Sequence, residues 1–367
     1  TDAFVRARIK ALCGAGWLAN DEGAEVALYT ESLALAQQID DKWAEAFSLR
    51  GLASMTADWA IAEDAEPRLQ ASLSLFRALA DRWGTALALF NLGWLALWRD
   101  HQTGAETLWS ESLAQFHSCG DRWGIAVASG ALGYIARLRG DYALATELTN
   151  AGLTRFRELG DKAGIALSLG RLGNLAFRRG DYAEASAFLQ ESLAIDREQG
   201  DQEGILNSLQ LQGLVACAQG DFLQATALLE ESVALARERG IPGELADGLA
   251  YLGFTKYYLS ESTAAETLFQ ESLALYQQSQ DKQGIAYALQ GLGLVALEHG
   301  DFAAANERLQ ESAALWQARG DPHYIATNLA ILGRLAQMQG DHRRACAHFR
   351  ESLTLYKQMA DKQGVAE

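Results

Sequence analysis

Apolar side chains recur along this chain at the spacing of one face of an α-helix. The pattern is clearest after Asp281, where Ile285 is followed by Leu289, Leu292 and Ala296 at offsets of 4, 7 and 11 residues. Offsets of this kind bring side chains onto one face of a helix. Asp281 is a side-chain acceptor placed to cap the start of that helix. The segment therefore predicts an amphipathic helix with one buried stripe.

A second apolar stripe follows after a short hinge. Gly300 tolerates the left-handed conformation that ends many helices, and Asp301 can cap the helix that comes next. The stripe of this second helix consists of Ala305, Leu309, Ala313 and Trp316, and Gly320 closes it. Two helices of about 16–18 residues joined by about two or three residues must lie antiparallel. The segment predicts a helical hairpin with a first and a second helix.

The same hairpin returns every 40 residues without insertion. Three columns of residues keep this register: the aspartates Asp41, Asp81, Asp121, Asp161, Asp201, Asp281, Asp321 and Asp361; the serines Ser32, Ser72, Ser112, Ser192, Ser232, Ser272, Ser312 and Ser352; and the glycines Gly93, Gly133, Gly173, Gly213, Gly253, Gly293 and Gly333. A period of about 20–50 residues is typical of a repeat array whose members bury their apolar faces against each other. We therefore predict an all-α fold, a single α-solenoid of nine helical hairpins over residues 1–360, with residues 361–367 opening a tenth.

Small residues occupy the positions where two helices must approach. The glycine column continues as Cys13 and Ala53 in the first two repeats. A glycine inside a helix costs about 1 kcal/mol relative to alanine, so its recurrence predicts that a side chain there would hold the helices apart. The serines are expected to pack closely, with each hydroxyl bonded to a carbonyl one turn earlier in its own helix.

These residues resemble the tetratricopeptide-repeat pattern. The fifth repeat shows it in Leu172-Gly173, Ala176, Gly180-Asp181-Tyr182, Ala185 and Leu189. The family's usual repeat has about 34 residues, so both helices are longer here. The Asp-Lys/Arg-x-Gly-Ile-Ala and Glu-Ser-Leu-Ala-Leu strings are similar to the long repeats in the sensor arms of bacterial signal-transduction ATPases and maltotriose-type LuxR-family regulators. The resemblance implies a right-handed superhelix whose first helices line a concave groove.

Charge and composition narrow the functional classes. The net charge is −16, and an acidic chain is repelled by phosphate backbones, so we expect no direct contact with nucleic acid. No apolar run reaches the roughly 20 residues that cross a bilayer, so we expect no membrane contact. The four cysteines lie in different repeats at unrelated positions, which favours reduced thiols in the cytoplasm. The chain opens with Thr1 and ends inside a repeat, so we expect it to be a piece of a longer polypeptide.

Three places depart from the repeat. Between Trp59 and Ala71 the Gly-Asp hinge is absent and Pro67 falls inside the expected second helix, which predicts a kink or a late helix start. At Ile241-Pro242-Gly243 the capping aspartate is lost, but proline is tolerated in a first helical turn. Ser260-Glu261 replaces the Gly-Asp hinge of the seventh repeat.

The sequence contains no recognisable catalytic motif. It has no phosphate-binding Gly-x-x-x-x-Gly-Lys, no His-Glu-x-x-His and no Gly-x-Ser-x-Gly. His342 and Cys346 share a helix face, but His348 lies off it, so we expect no metal site. The chain is therefore expected to be neither an enzyme nor a cofactor-binding protein.

The candidate binding residues are those of the first helices that do not repeat. On the groove side implied by the resemblance they are Arg50, Phe90, Asn91, Trp94, Trp98, Tyr134, Arg137, Arg171, Asn174, Phe177, Arg178, Asn207, Gln210, Asp247, Phe254, Tyr257, Tyr258, Tyr287 and Arg334. Aromatic rings beside arginine and amide groups offer stacking area with directional polar contacts. An alternative is that some of these rings only fill space between neighbouring first helices. Trp43, Trp83 and Trp123 recur at 40 residues and are expected to pack in the joints between repeats.

These features predict a non-enzymatic binding or scaffold domain. We expect it to be the sensing arm of a larger bacterial signalling ATPase or transcription regulator, with a peptide or protein partner in the concave groove. Two alternatives stay open. One is a sensor of a small, sugar-like ligand, and the other is a structural oligomerisation scaffold.

Overall fold

The computed structural model describes residues 2–18, 22–54, 64–99, 101–359, 361 and 364. These residues form eighteen α-helices and no β-strand, which confirms the all-α prediction. The helices are α1 (Asp2–Leu18), α2 (Glu22–Gln38), α3 (Lys42–Ser54), α4 (Ala65–Ala78), α5 (Arg82–Trp98), α6 (Gln102–Cys119), α7 (Arg122–Leu138), α8 (Tyr142–Leu159), α9 (Lys162–Arg178), α10 (Tyr182–Gln199), α11 (Gln202–Ala218), α12 (Phe222–Arg239), α13 (Pro242–Tyr258), α14 (Ser262–Gln278), α15 (Lys282–Glu298), α16 (Phe302–Arg319), α17 (Pro322–Met338) and α18 (His342–Gln358). Odd-numbered helices are the first helices of the repeats, and even-numbered helices are the second.

The chain divides into two compact units, an N-terminal unit (Thr1–Ile135) and a C-terminal unit (Ala136–Glu367). Within α1–α6 of the N-terminal unit, and within α8–α18 of the C-terminal unit, each helix packs against the next one along the chain. This arrangement is an α-solenoid of tetratricopeptide-like hairpins, as predicted. One continuous solenoid over residues 1–360 stays a prediction, and most of the stub after Asp361 lies outside the described residues.

The hinges between helices follow the predicted turn chemistry. In the C-terminal unit, Gly160 ends α8 in the left-handed region with φ 69°, where only a residue without a Cβ is free of strain. The Asp161 carboxylate then accepts a hydrogen bond from the Gly164 N–H at 3.0 Å and caps α9. Asp301 caps α16 in the same way by accepting from the Ala304 N–H at 3.0 Å.

The departures from the repeat pattern lie at the starts of helices or in the hinges just before them. The α4 helix begins at Ala65, with Pro67 in its first turn, so the late start is confirmed; residues 55–63 of that break lie outside the described part of the chain. Pro242 is the first residue of α13, where its missing N–H removes no helical hydrogen bond. Ser260 takes over the hinge glycine's conformation with φ 61°.

The glycine column lets the two helices of a hairpin touch. A Cβ placed on Gly173 would lie 2.6 Å from Leu189 on α10, and one placed on Gly293 would lie 2.7 Å from Leu309 on α16. Atoms cannot approach that closely, so alanine there would push the helices apart. The prediction that the glycines permit close approach is confirmed.

The serine column makes a different hydrogen bond from the one we predict from sequence. Ser192 donates to the carbonyl oxygen of Ala166 at 2.9 Å, and Ser312 donates to that of Ala286 at 2.8 Å. Each acceptor lies 26 residues earlier, on the first helix of the same hairpin, and not one turn earlier in the serine's own helix. The expectation of a local bond was therefore wrong. Close packing turns the hydroxyl toward the neighbouring backbone, where it ties the two helices together.

Side chains also join one repeat to the next. In the N-terminal unit, the indole Nε1 of Trp43 donates to the carboxylate of Asp81, and that of Trp83 donates to Asp121, both at 2.7 Å. Trp43 and Trp83 thus sit in the joints between repeats, as predicted, and the same placement of Trp123 stays a prediction. In the C-terminal unit, exposed ion pairs such as Arg237 with Glu271, at 2.7 Å, span the same joints.

Candidate binding face of the first helices

The candidate binding face comprises the non-repeating side chains of the first helices, and each unit is described separately. On the N-terminal unit, Trp94 is half-buried and meets Trp109 edge to face, with 5.0 Å between ring centroids. Tyr134 on the next first helix lies 6.1 Å from Trp94, and Phe90 lies 6.3 Å from it. Trp98 is 62% exposed. Trp98 is therefore the open ring among these candidate residues, and Phe90, Trp94 and Tyr134 are partly covered.

Two polar members of the predicted site are buried in the N-terminal unit. Asn91 on α5 is buried, and its amide nitrogen has no hydrogen-bond partner among the described residues. Arg50 on α3 is buried between the rings of Trp17 and Phe47, with its guanidinium carbon 4.8 Å from each ring centroid. Arg50 is therefore part of an aromatic cluster and is not an open groove residue.

A row of aromatic rings crosses three first helices of the C-terminal unit. Tyr251 and Phe254 on α13 contact Tyr287 on α15, with centroids 5.7 and 4.8 Å apart. Tyr287 in turn lies 5.9 Å from Tyr324 on α17. All four rings stay partly exposed. We call Tyr251, Phe254, Tyr287 and Tyr324 the aromatic row.

Arg178 closes one end of the aromatic row. Its Nη2 donates to the hydroxyl of Tyr324 at 3.1 Å, and its Nε donates to the side-chain oxygen of Asn174 at 3.1 Å. The guanidinium carbon also lies 5.1 Å from the centroid of the Tyr324 ring. Arg178 is buried, so these partners satisfy a charge that would otherwise be costly.

Acidic groups lie next to the aromatic row. Asp247 accepts a short hydrogen bond from the Tyr276 hydroxyl. Burial raises the pKa of Asp247 to about 6, although the bond from Tyr276 lowers it. Burial, together with the charges of Asp247 and Glu203, raises the pKa of Glu244 to about 7. The face of this unit therefore carries arginine at one end and carboxylic acids beside the rings.

The other predicted residues of the C-terminal unit differ in exposure. Phe177 is half-buried against Tyr182, with centroids 6.0 Å apart, and Tyr258 is 55% exposed beside Phe222 at 6.3 Å. The structure places Arg137, Arg171 and Tyr257 half-buried, Gln210 buried, and Asn207 and Arg334 exposed. Gln210 donates to the backbone oxygen of Glu244 at 2.8 Å, so it tightens the joint between two first helices.

Sequence reasoning missed two members of the row. Tyr251 occupies the same repeat position as Asn91 and Arg171, which are among the predicted binding residues. Its position in the repeat could therefore have identified it as a candidate. Tyr324 stands where most repeats have glycine, and it stacks on Trp316 of the preceding helix with centroids 4.1 Å apart. A tyrosine in a glycine column is a departure that the pattern could have revealed.

A cleft lies outside the predicted site. It has a volume of about 510 Å³ between α4, α5 and α6, and an ion pair of Arg99 with Glu66 stands at its wall. Leu92, Leu95 and Leu108 supply apolar lining. None of the candidate residues lines it.

Several site types find no support in the described part of the chain. No described helix combines the length and apolarity needed to span a membrane. Nowhere in the described ranges do three His, Cys, Asp or Glu side chains gather as metal ligands would. All four cysteines are described, and none forms a disulfide.

Comparison with known proteins supports the repeat class. A tetratricopeptide-repeat family model matches residues 164–238 and 244–318, which correspond to α9–α12 and α13–α16. The predicted tetratricopeptide character is thereby confirmed for these repeats. No curated protein matches the sequence.

Solved structures share the fold at low sequence identity. A Rap protein complexed with competence and sporulation factor has a TM-score of 0.75 at 11% identity, covering 99% of this chain and 100% of its own. NprR in complex with its cognate peptide NprX has a TM-score of 0.63 at 16% identity, with 97% of each chain covered. A signal-transduction ATPase with a tetratricopeptide repeat sensor, from Pyrococcus horikoshii, has a TM-score of 0.53 at 14% identity, covering 95% of this chain and 55% of its own. At these identities the likeness defines the fold.

Proposed function

We propose that this chain is a non-enzymatic binding arm that holds a peptide segment of a partner along its first helices. The aromatic row carries this proposal. Its rings come from α13, α15 and α17, they contact each other in sequence, and each keeps part of its surface exposed. Partly exposed rings offer contact area at a low cost in side-chain entropy, and the arginine and carboxylic acids beside them add direction.

A peptide suits this face better than a small ligand does. The row runs across three repeats, each of which adds a first helix about 10 Å across, so a ligand that touches all its rings must be extended. Two of the structural relatives are described in complexes of this kind, one with competence and sporulation factor and one with a cognate peptide. The ligands of these two relatives support a peptide as the class of partner, but they do not identify the particular peptide.

The larger context belongs to the same proposal. We expect the arm to serve as the sensing part of a cytoplasmic regulator in bacteria, in which peptide binding shifts an equilibrium that an effector domain reads. The ATPase from Pyrococcus horikoshii, described as carrying a tetratricopeptide repeat sensor, supports that architecture.

Selection from a random peptide library tests the binding proposal. The full chain is used as bait, and selected peptides are measured by calorimetry against the wild type, Tyr258→Ala and Arg171→Ala. Tyr258 is 55% exposed and Arg171 is half-buried, so neither change removes core packing. We expect a loss of about tenfold in affinity for at least one variant, since tyrosine and arginine are enriched among the interface residues whose truncation costs more than about 1 kcal/mol.

Leu223→Ala is the matched control. Leu223 lies on the second helix α12 and is 87% exposed, so its removal should leave the affinity unchanged. Selected peptides that bind all four proteins equally would contradict a site on the first helices.

A further inference from the structure

Glu244 and Asp247 bring two carboxylates to the aromatic row of the C-terminal unit. They stand three residues apart on α13, and Tyr251 follows Asp247 by four residues, so all three share one face of the helix. Burial raises the pKa of Tyr251 well above its ordinary value, and the nearby charges of Asp247 and Glu244 raise it further. Both carboxylates therefore lie close to the Tyr251 ring.

Neither carboxylate is paired with a cation in the described part of the chain. Asp247 accepts one hydrogen bond from a described residue, the Tyr276 hydroxyl on α14, and Glu244 accepts none from any of them. Both side chains are half-buried, so each keeps part of its surface open to solvent. The two carboxylates thus retain acceptor capacity that the fold does not use.

The groups that face these carboxylates from neighbouring helices do not neutralise them. Burial is the main reason that the pKa of Glu244 rises, and the charges of Asp247 and of Glu203 on α11 add to it. Burial also raises the pKa of Asp247, the bond from Tyr276 lowers it, and the charge of Asp281 before α15 raises it. This concentration of negative charge favours a cationic ligand over a neutral or anionic one.

Packing of the repeat does not require a carboxylate at Glu244. The same position in the other described repeats holds Gly84, Gly124, Gly164, Gly204, Gly284, Tyr324 and Gly364. A Cβ on Gly164 would lie 2.3 Å from Phe156, the ring that fills this space in its repeat. On the helix before α13, Ala236 stands at the position of that ring and leaves room for a longer side chain. A partly buried carboxylate thus replaces an apolar contact, which favours a role for it in binding.

We propose that Glu244, Asp247 and the ring of Tyr251 form a subsite for a cationic side chain of the bound peptide, a lysine or an arginine. The carboxylates accept its N–H groups in charge-assisted hydrogen bonds, and the electron-rich face of the ring covers its stem or its guanidinium plane. Arg178 closes the other end of the aromatic row at Tyr324, so the cation lies at the α13 end. This inference rests on the proposed function, since it assigns a chemical feature to the same peptide.

Small probes test the subsite without knowledge of the natural peptide. N-acetyl-argininamide and N-acetyl-lysinamide carry a cation, and N-acetyl-citrullinamide has nearly the shape of the arginine probe without its charge. Binding to the full chain is followed by saturation-transfer NMR and calorimetry at pH 8. We expect at least one cationic probe to bind with a Kd on the order of millimolar, as suits so small a ligand. The citrulline probe should bind about tenfold more weakly, and the stronger of the two cationic probes distinguishes a guanidinium ligand from an ammonium ligand.

The dependence of binding on pH gives a second readout. The pKa of Glu244 is about 7 and that of Asp247 is about 6, so both carboxylates are charged at pH 8 and are largely or partly protonated at pH 6. A bound cation stabilises the charged carboxylates, so its binding is coupled to the release of a proton. The affinity for the cationic probes should therefore fall several-fold from pH 8 to pH 6, and that for the citrulline probe should not change.

Glu244→Gln and Asp247→Asn connect binding to the carboxylates, because each change keeps the shape of the side chain and removes its charge. Each should weaken the preference for a cation several-fold, and Glu244→Gln should also remove most of the pH dependence. Glu238→Gln is the matched control, since it makes the same change at an exposed position of α12. Circular dichroism reports whether each variant is folded, and Glu244→Gln keeps the test valid if Asp247→Asn disturbs the bond to Tyr276.

Two results would overturn the subsite. One is a wild type that binds the cationic probes no better than the citrulline probe, and the other is an unchanged preference for a cation in both Glu244→Gln and Asp247→Asn. The failure of this subsite is distinguishable from that of the proposed function. Library peptides that lose affinity with Tyr258→Ala, but bind Glu244→Gln as tightly as the wild type, would retain the binding arm and remove only the cation subsite.

Discussion

The Nη2 atom of Arg178 donates a hydrogen bond of 3.1 Å to the hydroxyl oxygen of Tyr324, 146 residues further along the chain. It connects α9 to α17, two first helices that belong to different repeats of the C-terminal unit. Most contacts in a repeat array join neighbours, so a bond over this distance in sequence is unusual. The bond between Arg178 and Tyr324 holds one end of the aromatic row in place. We therefore expect the Tyr324 hydroxyl to contribute to the stability of the folded chain.

Tyr324→Phe should destabilise the chain. The change removes one acceptor from a buried guanidinium and keeps the ring that stacks on Trp316, so the expected loss is about 1–3 kcal/mol. Urea denaturation measures it. Tyr258→Phe is the control, because Tyr258 is 55% exposed and its hydroxyl can bond to water. Equal stability of Tyr324→Phe and the wild type would mean that the Arg178 bond contributes nothing.

Two glycines of α9 should respond oppositely to alanine. A Cβ on Gly173 would lie 2.6 Å from Leu189, whereas one on Gly170 would meet only the Ser192 hydroxyl at 3.7 Å. Gly173→Ala should therefore destabilise by about 1–3 kcal/mol through overpacking. Gly170→Ala should stabilise by about 0.5–1 kcal/mol, since alanine favours a helix interior. Thermal unfolding of both variants tests the prediction, and a stabilised Gly173→Ala would refute the close approach.

Two serines of the same column should differ in importance. Ser272 donates only to the carbonyl of Ala246, at 2.8 Å. Ser312 donates to Ala286 and also accepts from the Asn328 amide, at 2.8 Å in each case. Ser312→Ala should therefore cost about 1 kcal/mol more than Ser272→Ala, because it also leaves a buried amide unpaired. Denaturant titration of both variants decides this, and equal losses would contradict it.

Glu244 should make stability depend on pH. Its pKa is about 7 in the folded chain against an ordinary value of 4.5, mainly because of burial. The folded chain therefore holds this proton more tightly than the unfolded chain does, and stability falls as pH rises from about 4.5 to 7. Glu244→Gln should raise the free energy of unfolding at pH 8 by on the order of 1–3 kcal/mol and change it little at pH 4.

Glu238→Gln is the control for that measurement. Glu238 is an exposed residue of α12, so its substitution should change stability little at either pH. If Glu244→Gln and Glu238→Gln change the free energy of unfolding equally at pH 8, the charged Glu244 carboxylate does not destabilise the folded chain.

The sequence could predict those parts of the fold that depend on local spacing. Helix pairs, the caps at Asp161 and Asp301, and the close approach at Gly173 all follow from positions that recur at 40 residues. The predicted acceptor of the serine hydroxyls was wrong, because the acceptor that they find depends on how two neighbouring helices face each other. Spacing within one helix does not contain that information.

The candidate site could be predicted only in part, for the same reason. The pattern singled out Arg178 and Tyr287 as positions that vary, but it could not show that Tyr324 accepts a bond from Arg178. It also counted Arg50 among groove residues, whereas packing buries it between Trp17 and Phe47. Contacts between distant repeats depend on the geometry of the solenoid, and single-sequence periodicity does not specify that geometry.

A crystal structure of the full chain with a library-selected peptide tests the central claim most directly. The account predicts that the peptide lies along α13, α15 and α17 and contacts the rings of Tyr251, Tyr287 and Tyr324. A peptide bound only to second helices, with the aromatic row untouched, would contradict it.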